Sequence, residues 1–265
     1  MVDKKTIETI LTKSIRIVKC HDYPKAVALK NFNESDFFTE RYGDGVDTEV
    51  LPSPVGALQS IQADAQLNVD YTSIEKGVLH CYATDSYIPI NSYLNGVEDW
   101  EEDPRISWKL YHFTGETTMP VLDESKEGTD ESPWVDMTIP QQISVLDTIM
   151  GKNPTVQMDS LVYRYGELPL DIQVGDHGRF KGYISTSYNP FVAFKDIPEG
   201  GLWVQGEKNI RYKMRIFTPK GTRGVVLNRN NGCMDWQSEL LLDRNQRYIV
   251  LNKNDVDMTA DILIY

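Results

Sequence analysis

The apolar residues of this chain change their period once, near residue 160, and that change limits the fold more than any other feature. Before it they recur at helical spacing. Ile7, Ile10, Leu11, Ile15 and Val18 do so between Lys4 and Lys19, and Ile74, Val78, Tyr82, Tyr87, Ile90 and Leu94 do so after Ser73. Ile143, Leu146 and Ile149-Met150 repeat the pattern between Pro140 and Met150. Steps of three and four put one apolar stripe on a helix. Pro89 is expected to divide the second stretch into two helices, and Gly96 to stop it. After residue 160 the runs are short and bounded by Gly, Asn and Pro, which reads as strands. They are Leu161–Tyr163, Gly182–Ser187, Ile210–Phe217, Gly224–Leu227, Leu240–Leu242, Tyr248–Leu251 and Ala260–Tyr265. In the third, Tyr212, Met214 and Ile216 alternate with Arg and Lys, so one face is apolar and the other basic. Helices first and strands afterwards is α+β organisation.

Two stretches fit neither texture. Gly43, Gly45, Pro52, Pro54 and Gly56 punctuate the end of the first part with loops. Residues 1–70 are therefore expected to be an N-terminal extension, with the main domain over 71–265. Residues 98–133 carry Glu98-Asp99, Glu101-Glu102-Asp103, Asp123-Glu124 and Asp130-Glu131, yet also Trp100, Trp108, Tyr111 and Phe113. That mixture predicts a solvated acidic insertion with a small ordered part.

Composition narrows the function classes. The 265 residues are 40% hydrophobic, enough for a core and against wholesale disorder. The net charge of −12 opposes binding to a nucleic-acid backbone or an anionic membrane surface. No stretch reaches the roughly 18 apolar residues of a membrane span, and the N-terminus shows no signal-peptide core. The expected setting is soluble: intracellular, packaged in a virion or delivered into a host cell. Three cysteines, Cys20, Cys81 and Cys233, are too few for a disulfide scaffold. Cys20-His21 and His80-Cys81 lack the C-x-x-C spacing of a zinc site.

Three short segments of the strand-rich half can carry chemistry. In Val162-Tyr163-Arg164-Tyr165-Gly166 a guanidinium closes an apolar strand, where its fork suits a phosphate or a ribose hydroxyl. Alone, such an arginine more often simply points to water. In Gly182-Tyr183-Ile184-Ser185-Thr186-Ser187 a strand puts Ser185 and Ser187 on one face and Thr186 on the other. Those hydroxyls could hold a carboxylate or a sugar, or serve only β-propensity. In Trp236-Gln237-Ser238-Glu239-Leu240-Leu241-Leu242, strand geometry would give Gln237 and Glu239 a common face. A carboxylate in that setting can stabilise the positive charge that develops on a sugar carbon during glycosyl transfer.

In this order the three segments resemble the Arg–Ser-Thr-Ser–Glu class of mono-ADP-ribosyltransferases. That class includes clostridial Rho-modifying exoenzymes, binary actin-modifying toxins and phage-encoded ADP-ribosyltransferases. Tyr87-Ile88-Pro89-Ile90-Asn91-Ser92-Tyr93-Leu94, Leu146-Asp147 and Thr218-Pro219-Lys220-Gly221-Thr222-Arg223-Gly224 add to the resemblance, which spans 73–265 outside the acidic insertion. It implies a split β-sandwich around an NAD cleft, with helices at one side. It implies NAD as the substrate and no metal. Arg164, Tyr163, Ser185, Thr186, Ser187 and Glu239 would contact NAD. Ser185 would also position Glu239, and Glu239 would stabilise the oxocarbenium form of the ribose as nicotinamide leaves.

The same resemblance points to a protein acceptor, a small GTPase or another host protein. Arginine-modifying members usually carry Glu two residues before the catalytic Glu, whereas this chain has Gln237. An amide suits another amide better than a guanidinium, so asparagine or another neutral acceptor is expected. Trp236 and Gln237 would face it. Two departures stand out. Tyr165 separates Arg164 from Gly166, where the family usually has Gly directly. Phe191, Phe194 and Lys195 occupy the loop in which the Rho-modifying group has Gly-Arg-Pro, leaving a second basic NAD contact unassigned. An NAD glycohydrolase fits the same residues; a retired transferase fold serving as a phage structural or binding module is the other alternative, and intact Arg164, Ser185 and Glu239 count against it.

Overall fold

The computed structural model describes residues 53–97, 111–113, 116–194, 209–228, 231–233 and 238–265. The sequence-predicted helix of residues 4–19, Cys20, His21, Trp100, Trp108, Lys195, Trp236 and Gln237 lie outside the described residues. No described helix is long and apolar enough to cross a membrane.

Helix α1 (Ser53–Gln66) is followed by α2 (Ser73–Cys81), a π-helical turn (Tyr82–Ser86) and α3 (Tyr87–Asn95). Thr72 starts α2 with a capping box, its hydroxyl accepting from Glu75 N while the Glu75 carboxylate accepts from Thr72 N. Gly96 ends α3 in the left-handed conformation at φ 70. The division of this stretch falls earlier than Pro89, which sits in the first turn of α3. A proline ring in an α-helix meets the carbonyl four residues back, here residue 85. The backbone is already widened to π geometry at that point, and Pro89 is accommodated without ending the helix.

The acidic insertion contributes real structure. Strands β1 (Tyr111–Phe113), β2 (Glu116–Leu122) and β3 (Trp134–Thr138) form an antiparallel sheet in that order. It lies on α2, and Gly77 permits the approach: a Cβ there would sit 1.9 Å from the Leu122 carbonyl oxygen. Helix α4 (Ile139–Lys152) follows at once, capped by Thr138 and Gln141 with Pro140 in its first turn.

The remaining strands are β4 (Ser160–Pro169), β5 (His177–Phe180), β6 (Ile184–Ser187), β7 (Asn209–Thr218), β8 (Gly224–Val226), β9 (Glu239–Leu242), β10 (Gln246–Asn254) and β11 (Thr259–Ile264). A short helix, α5 (Pro190–Phe194), follows β6. The strand order is β5-β10-β11-β7-β4-β6-β9-β8, antiparallel except for the β7–β11 pair. Within it, β4 and β7 are paired over their full length from Ser160↔Thr218 to Pro169↔Asn209. Strands β4 and β6 meet only at Tyr163↔Ser187. The sheet is therefore two halves joined at one ladder position, the split β-sandwich that the sequence resemblance implied.

Each half turns apolar side chains inward. Val162, Tyr212, Met214, Ile216, Val250 and Ile262 of one half meet Ile184, Val226, Leu240 and Leu242 of the other in one core. A second core joins α2, α3 and α4 to the outer face of the smaller half through Tyr183, Val225, Leu227 and Leu241. The free edge of β8 is covered by α1. Gln66 Oε1 accepts from Val226 N at 3.2 Å, and Gln62 Oε1 accepts from Gln157 N at 2.9 Å.

The basic face of β7 is not all solvated. Arg215 is 8% exposed and forms a two-pronged pair with Asp261, its parallel partner on β11, at 2.5 and 2.7 Å. Removing one member of a buried pair leaves the other charge without compensation, typically at about 3–5 kcal/mol. Asp261→Ala is expected to lose about that much in chemical denaturation, and a loss below about 1 kcal/mol would show that water reaches Arg215 freely.

Candidate active site

Where β4 and β6 diverge past their single pairing, a cleft of about 350 Å³ opens. Strand β4 supplies Tyr163, Arg164 and Tyr165, β6 supplies Ser185, Thr186 and Ser187, and β9 supplies Glu239. The helical side adds Tyr82, Ala83, Tyr87 and Asn91, and α5 adds Val192 and Ala193. Six residues expected from sequence, Tyr163, Arg164, Ser185, Thr186, Ser187 and Glu239, thus line one cleft.

Arg164 and Glu239 come together through Ser185. One guanidinium nitrogen of Arg164, Nη1, donates to the Ser185 carbonyl at 2.6 Å, spanning the split between the halves. The hydroxyl of the same serine donates to Glu239 Oε1 at 2.5 Å. Ser185 is the ladder partner of Leu241, so this bond runs diagonally across the β6–β9 pair, within side-chain reach. Ser187, expected to share a face with Ser185, is engaged with the backbone instead, as is Thr186. Thr186 Oγ1 donates to the Leu240 carbonyl at 2.6 Å, and Ser187 Oγ accepts from Asn189 N at 3.0 Å. Both fasten β6 and the turn after it, and Ser185 alone of the three reaches the carboxylate.

Strand β9 begins at Glu239, and Ser238 before it adopts φ 47, in the left-handed region. A serine held there costs on the order of 1–3 kcal/mol and marks a backbone fixed by its surroundings. Tyr188 N donating to the Ser238 carbonyl at 3.0 Å is part of that restraint.

Sequence reading missed the helical wall. Tyr82 is fully buried at the floor of the cleft. Its hydroxyl accepts from Asn91 Nδ2 at 2.9 Å and lies near enough to Arg164 for the guanidinium to stabilise its ionised form. Burial nonetheless pushes the Tyr82 hydroxyl well above the ordinary tyrosine range. The ring packs edge-on to Tyr183 at 5.8 Å. Tyr183 in turn donates to Asp147 Oδ1 at 2.7 Å, and Arg244 clamps both oxygens of Asp147 at 2.8 and 2.7 Å. A connected series therefore runs from the surface clamp to the cleft floor. The available signal was the Tyr82, Tyr87, Asn91 spacing across the π turn.

His80 and Cys81 serve packing. His80 Nδ1 contacts the Gly232 carbonyl at 3.0 Å, and Cys81 is buried among the helices. Burial, with the charge of Glu239 nearby, pushes the Cys233 thiol up to about 12, which makes it a poor nucleophile.

Comparison with known proteins agrees with this geometry. The family model described as "ADP-ribosyltransferase exoenzyme" matches residues 120–263. Among solved structures, the chain is similar to the Vis toxin, an ADP-ribosyltransferase from Vibrio splendidus. That match has a TM-score of 0.50, 15% identity, and covers 82% of this chain and 86% of the toxin. Vis in complex with an inhibitor called M6 gives a TM-score of 0.52 at 13% identity over 80% and 82% of the two chains. Vis in complex with agmatine gives 0.50 at 15% over 82% and 88%. No curated protein matches the sequence. The chain belongs to the ADP-ribosyltransferase exoenzyme family, and it is an NAD-dependent enzyme of that class.

The electrostatics of Glu239 give a test that needs no substrate. Burial raises its carboxyl to about 7 from the ordinary glutamate value of 4.5, against the lowering pull of the Ser185 hydrogen bond and the Arg164 charge. The unfolded carboxyl ionises first as pH rises, so over that window the native state binds more protons. Stability must then fall with pH between about 4.5 and about 7. Glu239→Gln lacks the titration. Its melting temperature is expected to gain on the native protein across that window and to run parallel above it. Parallel curves throughout would mean an unperturbed carboxyl.

Proposed function

We propose that the chain transfers ADP-ribose from NAD to a neutral side chain of a protein acceptor, with residues 71–265 as the catalytic domain. The observation that carries this reading is the Arg164–Ser185–Glu239 connection at the mouth of the split. Arg164 keeps further N–H donors beyond the one bonded to Ser185 and would hold phosphate and ribose oxygens of NAD. Tyr163, Thr186 and Ser187 would form the wall against which the dinucleotide lies. Ser185 would fix the rotamer of Glu239.

In the reaction the bond between C1′ of the ribose and the nicotinamide nitrogen breaks, and nicotinamide leaves with the electron pair. Positive charge appears on the ribose only as that bond opens. A fixed carboxylate beside it lowers the barrier without tightening the ground state. The acceptor nitrogen then bonds C1′ and loses a proton. Ionised Glu239 is the active form, so kcat/KM is expected to rise with pH through about 7. Gln237 and Trp236 would present the acceptor. Agmatine, the small guanidinium found with the Vis enzyme, is a suitable probe of arginine specificity and is expected to be a poor acceptor here.

Labelled NAD in a bacterial or eukaryotic lysate is the direct test. A labelled protein band, lost with Glu239→Ala, is expected; removing a carboxylate of this kind typically costs about 100- to 1000-fold in rate. Nicotinamide release without a band in any lysate would make water the acceptor and the protein a glycohydrolase. No release and no NAD binding would leave only a binding module on a transferase fold.

A further inference from the structure

Strand β4 carries one glycine, and it lies close to the arginine. Arg164 and Gly166 are two residues apart on β4, so their side chains would leave the same face. That face turns inward, with Val162 and Leu168 in the core between the sheet halves. The side chain of Arg164 lies along the strand, directly over Gly166. A Cβ at residue 166 would fall 2.6 Å from Arg164 Nε, 3.2 Å from its Cδ and 3.3 Å from its Cγ. Real Cβ atoms do not approach heavy atoms that closely, so the arginine would have to move.

The arginine is not free to move cheaply. Its Cα is fixed in a fully paired strand, with Met214 opposite it. Its far end is bonded to the Ser185 carbonyl at 2.6 Å. A side chain held at both ends and crowded in the middle must give up one end, and the strand does not yield. Gly166 is not a turn glycine, because it sits inside a regular strand opposite Tyr212. Glycine in a strand interior costs conformational entropy and marks a close approach. Here the approaching group is the Arg164 side chain itself.

We propose that Gly166 is a positioning residue for NAD binding. By having no side chain it lets Arg164 lie flat along β4 and reach across the split to Ser185. This rests on the reading of the cleft as the NAD site. Gly166 touches no substrate and acts only through the guanidinium. Tyr165 then projects from the opposite face of β4, which is how one residue can stand between the arginine and its glycine without disturbing either.

The experiment is a double-mutant cycle on the whole chain, using Gly166→Ala, Arg164→Ala and their combination, with NAD hydrolysis and NAD binding as readouts. Gly166→Ala is expected to raise KM and Kd for NAD by about tenfold or more, with kcat at saturation changed less than about threefold. In the Arg164→Ala background the same change is expected to have no further effect, because two residues acting through one guanidinium are not additive. A merely structural glycine would give additive losses, and that result would overturn the proposal. So would an unchanged Kd in the single variant while native protein binds NAD. If native protein binds no NAD, the cleft reading itself fails. The crystal structure of Gly166→Ala still decides the geometry: loss of the Arg164–Ser185 bond supports the inference and its retention overturns it.

Discussion

The molecule depends on a sheet that is joined at one point. Strands β4 and β6 share a single ladder position, Tyr163↔Ser187, although the β4–β7 ladder beside them runs for ten residues. Full pairing would close the space between the halves and leave a barrel wall. No pairing would let the halves drift and separate Arg164 from Ser185. One position fixes the relation of the halves and leaves unpaired backbone beyond it. The carbonyl of Ser185 is among those groups, and the Arg164 guanidinium satisfies it in place of a strand partner. The cleft is thus where sheet hydrogen bonding stops and side-chain hydrogen bonding takes over.

Both charges of that cleft sit in a poor solvent. Burial works against the Arg164 guanidinium and against the Glu239 carboxylate, each partly offset by the other. A fixed carboxylate is most effective against developing positive charge when little water screens it. The same desolvation that makes the unliganded cleft costly would suit it to the charge that develops in the proposed reaction. The left-handed Ser238 beside Glu239 adds local backbone strain at the same end of the cleft.

Much of this was legible in the sequence, for a physical reason. Period two and period three-to-four patterns survive wherever one face is buried, so α2, α4, β7, β10 and β11 could be placed closely. Six cleft residues could be named because their order along the chain is specific even where each alone is not. The rest was hidden by context. Strand β5, His177-Gly178-Arg179-Phe180, reads as a loop because only its pairing with β10 makes it a strand. The insertion sheet is masked by its acidic turns, and its docking depends on Gly77, which sequence shows only as a weak spot in a helix. Arg215 reads as a solvated cation, since its buried partner Asp261 lies 46 residues away. Tyr82 is a core residue by periodicity, and only the π turn brings it to the cleft floor.

Helix α1 bears on how the chain behaves in a crowd. Strand β8 is the outer strand of the smaller half, short and apolar, with Val225 and Val226 both buried. A strand of that kind, left open, is a template for the backbone of another molecule. Gln66 occupies the amide of Val226 with its own side chain, as a neighbouring strand would with a carbonyl. A single glutamine thereby mimics a missing strand. Loss of the helix that carries it would leave that amide open to the backbone of another copy, along which the sheet could be extended.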